Sequence, residues 1–198
     1  RHPYPHCWRC RNGLMFRATK QWFCNLQENA LIERTLQEIK KITFVPETGR
    51  TRLSATIGSR SEWCISRQRT WGVPIVALLC GSCDSPYLDT TFIRAIADRI
   101  AEEGIEYWHR ITIPDLIESG ILTKHFSCTT CGNTDIETIR KEYDILDVWF
   151  DSGISHTAVL AAFPELQYPA DVYLEGSDQH RGWFQSSLLS AMVMNEAT

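Results

Sequence analysis

No stretch of the 198-residue sequence stays apolar for long enough to cross a bilayer. The longest apolar runs, Pro74–Cys80 and Leu188–Met194, fall far short of the roughly 20 residues that a spanning helix needs. There is no signal-peptide pattern, and a soluble protein is expected. Charge is also short of any extreme: a net charge of −4 gives no global nucleic-acid footprint. Low-complexity segments are missing, as are internal repeats other than paired cysteines. An initiating Met is missing too. The sequence opens at Arg1 inside a dense motif and stops at Thr198 inside a helical pattern, which reads as an internal piece of a longer polypeptide.

What is present argues for a folded domain, or one domain with an insertion: 43% of residues are hydrophobic and 11% aromatic. Basic residues cluster locally, first Arg1, Arg9, Arg11, Arg17 and Lys20, then Arg50, Arg52, Arg60, Arg67 and Arg69. With Trp8, Phe16, Trp22, Trp63 and Trp71 among them, they could follow a phosphate backbone and stack on bases; a solvated face over core aromatics is the plainer reading. Of the 8 cysteines, six form C-x-x-C pairs: Cys7/Cys10, Cys80/Cys83 and Cys128/Cys131. Without secretory features this pattern favours metal over disulfides. Cys80/Cys83 and Cys128/Cys131 together supply four thiolates, the usual structural zinc set, with 44 residues between them as an excursion from the metal-bound base. Cys7/Cys10 has no partner pair in the sequence: either it is a half-site whose mate lies upstream of this fragment, or it is a metal-free relic. Cys24 and Cys64 read as small buried residues.

Periodicity predicts a short strand around Met15–Thr19 and a helix over Asn25–Lys41, with Leu26, Ala30, Leu31, Ile32, Leu36 and Ile39 at helical spacing. A turn at Pro46–Gly49 precedes a helix over Thr51–Ser59, and Trp63–Ser66 reads as a buried strand or tight turn. A strand is expected at Ile75–Cys80, helices at Thr91–Glu103 and Ile113–Ser119, and a charged strand or hairpin after Cys131. Asp144–Phe150 reads as a buried strand ending in Asp151-Ser152-Gly153. Between Asp171 and Asn195, Val172 and Leu174 alternate as in a strand. Six polar or small residues, Glu175–His180, then make a turn, and Phe184, Leu188, Ala191, Met192 and Asn195 follow at helical spacing. A strand, a polar turn and a helix start form a unit on which α/β folds bind ligands. Trp149-Phe150-Asp151-Ser152-Gly153 is either the wall of a pocket for an apolar group or a core tryptophan before an Asx-type turn. In Trp63–Pro74, Arg67 and Arg69 could serve an anion. His180 and Arg181 are read as catalytic or simply exposed.

Four strings, YPHCWRC (Tyr4–Cys10), WCISRQRTWGVP (Trp63–Pro74), DVWFDSG (Asp147–Gly153) and EGSDQHRGWF (Glu175–Phe184), together resemble one family. The resemblance is to the isoleucyl-tRNA synthetases, class I aminoacyl-tRNA synthetases with a Rossmann-type α/β catalytic domain, and it runs over essentially the whole chain. It implies activation of isoleucine with ATP and Mg2+ to an adenylate and transfer to tRNA(Ile), in a cytoplasmic enzyme that is monomeric at full length. It implies that Trp149 and Trp183 flank the amino-acid side chain, that Glu175, Gly176, Asp178 and Gln179 contact the adenylate, and that Cys80, Cys83, Cys128 and Cys131 bind zinc. It implies no catalytic side chain within the chain.

Two parts of the family pattern are missing, the H-x-G-H motif and the KMSKS-type lysine loop, both of which stabilise the triphosphate as the adenylate forms. The fragment alone is therefore expected to be inactive. The implied divisions are residues 1–48 (return from an editing insertion, with the first cysteine knuckle), 49–79 (catalytic core), 80–140 (zinc-binding connective subdomain) and 141–198 (Rossmann segment). The alternatives are a zinc-ribbon RNA-binding module without catalysis and a leucyl or valyl relative.

Overall fold

A computed structural model describes residues 2–194; Arg1 and Asn195, the last helical position of the sequence pattern, lie outside the described residues. The structure mixes helices with short strands. The strands are β1 (Phe23–Asn25), β2 (Glu62–Cys64), β3 (Ser66–Arg67), β4 (Leu78–Leu79), β5 (Pro86–Tyr87), β6 (Arg140–Lys141) and β7 (Ile145–Leu146). The helices are α1 (Leu31–Lys41), α2 (Thr48–Gly58), α3 (Thr90–Glu103), α4 (Glu106–Arg110), α5 (Ile113–Glu118), α6 (Val148–Gly153) and α7 (Trp183–Met194). Among the described residues β1 pairs with β2, β3 with β7, and β4 with both β5 and β6, every pair antiparallel.

The helices start where side chains satisfy their first N–H groups. Asp89 accepts from the Phe92 N–H at 2.8 Å and starts α3, and Gly104 (φ 85°) ends it. Thr112 and Asp115 form a reciprocal capping box at α5, with Pro114 in its first turn. In α1 the buried residues Leu31, Ile32, Thr35 and Ile39 make one face, and Lys40 and Lys41 sit at its carboxyl end, where cations suit the dipole.

Buried apolar residues form two clusters. One, around Trp108, gathers Leu78, Phe92, Ile96, Tyr107, Leu116, Leu122, Phe126 and Ile139 with Cys80 and Cys128. The other gathers Leu31, Ile32, Ile39, Leu53, Ile57, Trp63 and Leu189 from α1, α2, β2 and α7, with Leu26 from the turn after β1. The chain enters and leaves the first cluster over an antiparallel neck. Ile75 N–H donates to Asp144 C=O (3.0 Å), Glu142 N–H to Ala77 C=O (2.9 Å), and Leu78 and Leu79 face Lys141 and Arg140.

Several sequence expectations are corrected. Met15–Thr19 is exposed coil, and the strand nearby is β1, whose register with Trp63 is set by residues further along. The helix expected from Asn25 begins at Leu31, because Asn29 and Ala30 take positive φ (49° and 53°) and break the turn before it. α2 starts at Thr48 and absorbs the second half of the expected turn. The strand over Ile75–Cys80 contracts to β4. α4 was not anticipated. Asp144–Phe150 is strand only at β7; from Val148 the chain is helical, because Asp147 caps the Trp149 N–H and so starts α6. Val172 and Leu174 are not in a buried strand: they are 75% and 84% exposed, in extended coil. Cys24 and Cys64 are half-buried rather than buried.

Candidate functional site

The three C-x-x-C segments fold into the same knuckle. In each, the first cysteine's N–H donates to the carbonyl five residues on: Cys7 to Asn12 (2.8 Å), Cys80 to Ser85 (3.0 Å), Cys128 to Asn133 (2.9 Å). In each, its carbonyl accepts from the N–H four residues on, that of Arg11, Asp84 or Gly132, always at 2.8 Å. Those fourth residues all take positive φ (63°, 59° and 72°), which closes the loop around the thiols.

Two of the knuckles face each other. Cys80 Sγ lies 3.7 Å from Cys131 Sγ, and Cys83 Sγ lies 3.7 Å from Cys128 Sγ. All four sulfurs fall within 4.8 Å of one another. A tetrahedron of thiolates each about 2.3 Å from Zn2+ has edges of about 3.8 Å, whereas a disulfide needs about 2.05 Å. The sulfur cage therefore fits a tetrahedral metal, and all eight cysteines are free thiols. Asn133 supports it, its Nδ2 donating to Cys80 Sγ (3.6 Å) and to Thr138 Oγ1 (2.9 Å). Asp84, inside the first knuckle, is held by Lys20 and Arg140.

The electrostatics suit a cation. Burial opposes the Cys80 thiolate, but the N–H groups of Ser82 and Cys83, the Asn133 amide and Cys131 outweigh it and draw Cys80 down to about 6. At Cys83 the Ser85 N–H favours the thiolate, yet hydrogen bonding with Cys131, burial and the Cys128 and Cys80 thiols push it up to about 12. The Cys128 thiol is likewise held below its ordinary value by the N–H groups of Cys131 and Thr130, so Cys83 is the one that resists ionisation unless a positive charge sits among the sulfurs. Cys7/Cys10 forms its knuckle without a second pair facing it among the described residues.

The second candidate site lies where α6 meets α7. Asp147, buried, starts α6 and accepts from Arg67 Nη2 (2.8 Å) and Trp63 Nε1 (3.4 Å). Arg67 is thus committed to an internal carboxylate, and its expected anion role gives way to holding the base of α6. Gly153 lets α6 approach α7 closely: a Cβ there would lie 3.0 Å from the Ser186 carbonyl, and Ser190 Oγ donates to Gly153 C=O at 2.9 Å. Trp149 sits on α6 and Trp183 opens α7, so both indoles belong to the two helices that pack here. The Trp149 ring covers Gly182, where an added Cβ would lie 3.0 Å from the ring and 2.6 Å from Gln179 Oε1. Trp183 Nε1 donates to Ser152 C=O (2.9 Å) and Ser155 Oγ (3.3 Å), which fixes its indole.

Residues 175–181 lie over the start of α7. Glu175, Gly176 and Asp178 are exposed. Gln179 Oε1 accepts from the Trp183 N–H (3.0 Å), so this amide caps α7 while its Nε2 donates to Asp178 (2.9 Å). His180 is buried, its Nδ1 2.7 Å from Ser177 C=O and its ring edge-on to Phe184 at 5.3 Å, so it is a packing residue. Arg181 is exposed. Sequence reasoning missed Tyr173, whose ring stacks on Trp183 at 4.6 Å and 15°. The alternation that pointed Val172 and Leu174 inward placed Tyr173 outward, and the real orientation is the reverse.

Residues 10–198 match the family described as tRNA synthetases class I (I, L, M and V). The chain belongs to that family. Among its relatives, the isoleucine–tRNA ligase of Geobacter sulfurreducens is 48% identical over 191 residues, covering 96% of this chain and 20% of the relative. That of Lawsonia intracellularis is 49% identical over 95% of the chain, and that of Syntrophotalea carbinolica 46% identical over 100% of it, again 20% of each relative. The chain thus spans a fifth of the length of these relatives. For this class I synthetase segment the expected family and the mixed helix–strand class hold, together with a four-cysteine cluster able to hold a metal. No helix among the described residues is long and apolar enough to cross a membrane.

Proposed function

We propose that this class I synthetase segment supplies the amino-acid-facing half of the adenylate site of an isoleucine–tRNA ligase. The whole polypeptide activates isoleucine with ATP to isoleucyl-adenylate and transfers it to tRNA(Ile). The observation that carries the reading is the Trp149 ring lying on Gly182, one residue before the anchored indole of Trp183. Two such rings make rigid apolar walls for a branched side chain, with little rotamer freedom to lose on binding. Glu175, Gly176, Asp178 and Gln179 border them: the carboxylates suit an ammonium or ribose hydroxyls, and Gly176, lacking a Cβ, makes room for the Asp178 carboxylate. Because the Gln179 carbonyl oxygen already caps α7, its role toward the adenylate is through its amide N–H. Catalysis here is positioning and charge stabilisation, with no nucleophile or general base among these residues.

The same proposal reads residues 141–198 as part of a Rossmann-type sheet, with the extended, exposed Val172–Leu174 as a strand whose neighbours belong to other parts of the polypeptide. Residues 80–140 are read as a connective subdomain built on zinc held by Cys80, Cys83, Cys128 and Cys131; the ion would act as a structural cross-link. Cys7/Cys10 is a preformed half-site for a second metal. Residues 1–48 and 49–79 are a return segment from an editing insertion and a core segment; the enzyme is read as cytoplasmic and monomeric.

Oxidative footprinting of the whole polypeptide with a non-hydrolysable isoleucyl-adenylate analogue tests the site. Protection of Trp149 and Trp183 is expected, and unchanged reactivity at both would contradict the proposal. A leucyl or valyl analogue protecting better than the isoleucyl one would shift the assignment to another branch of the family.

A further inference from the structure

Behind the thiol cluster, on the face formed by the end of α4 and strand β6, a groove of about 300 Å3 is lined by His109, Arg110, Arg140, Lys141 and Tyr143 among others, with no carboxylate in its lining. Its volume is at the small end of ligand sites, which run from about 300 to 1,000 Å3. Lys141 is the unusual member. Its side chain belongs to a residue only 6% exposed, yet no Asp or Glu contacts it among the described residues. Its ammonium donates to the carbonyls of Trp108 and Ile111, at the end of α4, and lies 5.0 Å from the Trp108 ring and 5.6 Å from the Tyr143 ring. An ammonium has three N–H donors, and these contacts use two. Burial accordingly holds the Lys141 pKa below its ordinary value. A buried cation with neutral partners is costly unless an anion completes its shell.

The neighbouring cations are placed differently. Arg110 is paired with Glu103 (3.1 Å) and Arg140 with Asp84, so both are oriented but already partly neutralised. Exposed Tyr143 adds a hydroxyl and a ring face at the rim.

We infer that this groove is an oxyanion site in which Lys141, with Arg110, Arg140 and His109, receives a phosphate group, either of an RNA backbone or free in solution. The site lies in the Trp108 cluster, apart from Trp149 and Trp183, and does not depend on the adenylate reading.

NMR of the zinc-loaded chain, labelled at lysine, tests this directly. The Lys141 Cε signal, displaced by the Trp108 ring, is followed while inorganic phosphate or an eight-nucleotide single-stranded RNA is added. A saturable shift with RNA but not phosphate supports the site with a phosphodiester ligand. A saturable shift with phosphate supports it with a free oxyanion. No saturable shift with either overturns it. For whichever probe binds, Arg110→Gln should weaken binding severalfold, and for RNA it should lower the salt dependence by about one unit in the log–log slope. Since Lys141→Met could disturb the end of α4, Arg110→Gln, at an exposed position, is the deciding variant; unchanged affinity in it would also overturn the inference.

Discussion

The Trp108 cluster and the Trp149/Trp183 region are solved by the same chain in opposite ways. The first closes on itself: ten buried residues gather around Trp108, and Cys80, Cys83, Cys128 and Cys131 form at its edge a cluster able to hold a metal. The second leaves apolar surface open, with Val148 and Trp149 exposed beside a turn crowded with polar groups. Soluble surfaces rarely keep such residues together without a use for them. A staple substitutes for core size in a small unit, whereas a binding site needs apolar walls that its own fold does not cover. On the proposed reading, the difference separates a structural role from a recognition role within one 198-residue sequence.

The largest expected effect comes from breaking the staple. Structural zinc contributes apparent energies of about 10–16 kcal/mol in small zinc-finger peptides. Cys83→Ser, or chelation, should remove the metal and abolish hydrogen-exchange protection in α3, α4 and β6, while α1, α2 and α7 keep theirs. Elemental analysis finding well under one metal per chain in the folded wild type, or both regions losing protection together, would erase the contrast. Next in size, Trp108→Ala should destabilise the first cluster by about 3–5 kcal/mol, the usual range for deleting a buried aromatic; denaturant unfolding reads it. Half-buried Trp183 should cost clearly less stability when replaced by Ala. Gly182→Ala should crowd Gln179 Oε1, the cap of α7, costing about 1 kcal/mol or somewhat more in unfolding, and push the Trp149 ring from its seat, raising the isoleucine KM of the whole enzyme about tenfold, or about 1.4 kcal/mol. The smallest effect is Gln179→Ala, which removes the cap of α7 at about 1 kcal/mol, seen as a modest fall in thermal midpoint.

Chemistry carried by spacing was legible in the sequence. Two C-x-x-C pairs predicted a facing set of four thiols because the knuckle is local, fixed by hydrogen bonds within six residues. The bodies of α1, α3 and α5 were legible from apolar spacing, and in α3 and α5 a capping side chain, Asp89 or Thr112, agrees with it. What escaped notice depended on distant partners. Asp147 acts as a cap only because Arg67 and Trp63 hold its carboxylate from another segment, and without them DILDVWF reads as one strand. The Val172–Leu174 alternation was read as burial, but which face is covered depends on what packs there, and Tyr173 won the contact with Trp183. Lys141 looked like one surface cation among twenty Lys and Arg residues; only the return of β6 against α4 buries it.

The central claim is that Trp149 and Trp183 form the walls of an isoleucine pocket, and amino-acid-dependent ATP–pyrophosphate exchange by the whole polypeptide tests it most directly. The account predicts that isoleucine supports exchange far better than leucine, and that Trp183→Ala raises the isoleucine KM while the protein stays folded. Exchange driven equally by leucine, or an isoleucine KM untouched by Trp183→Ala, would contradict it.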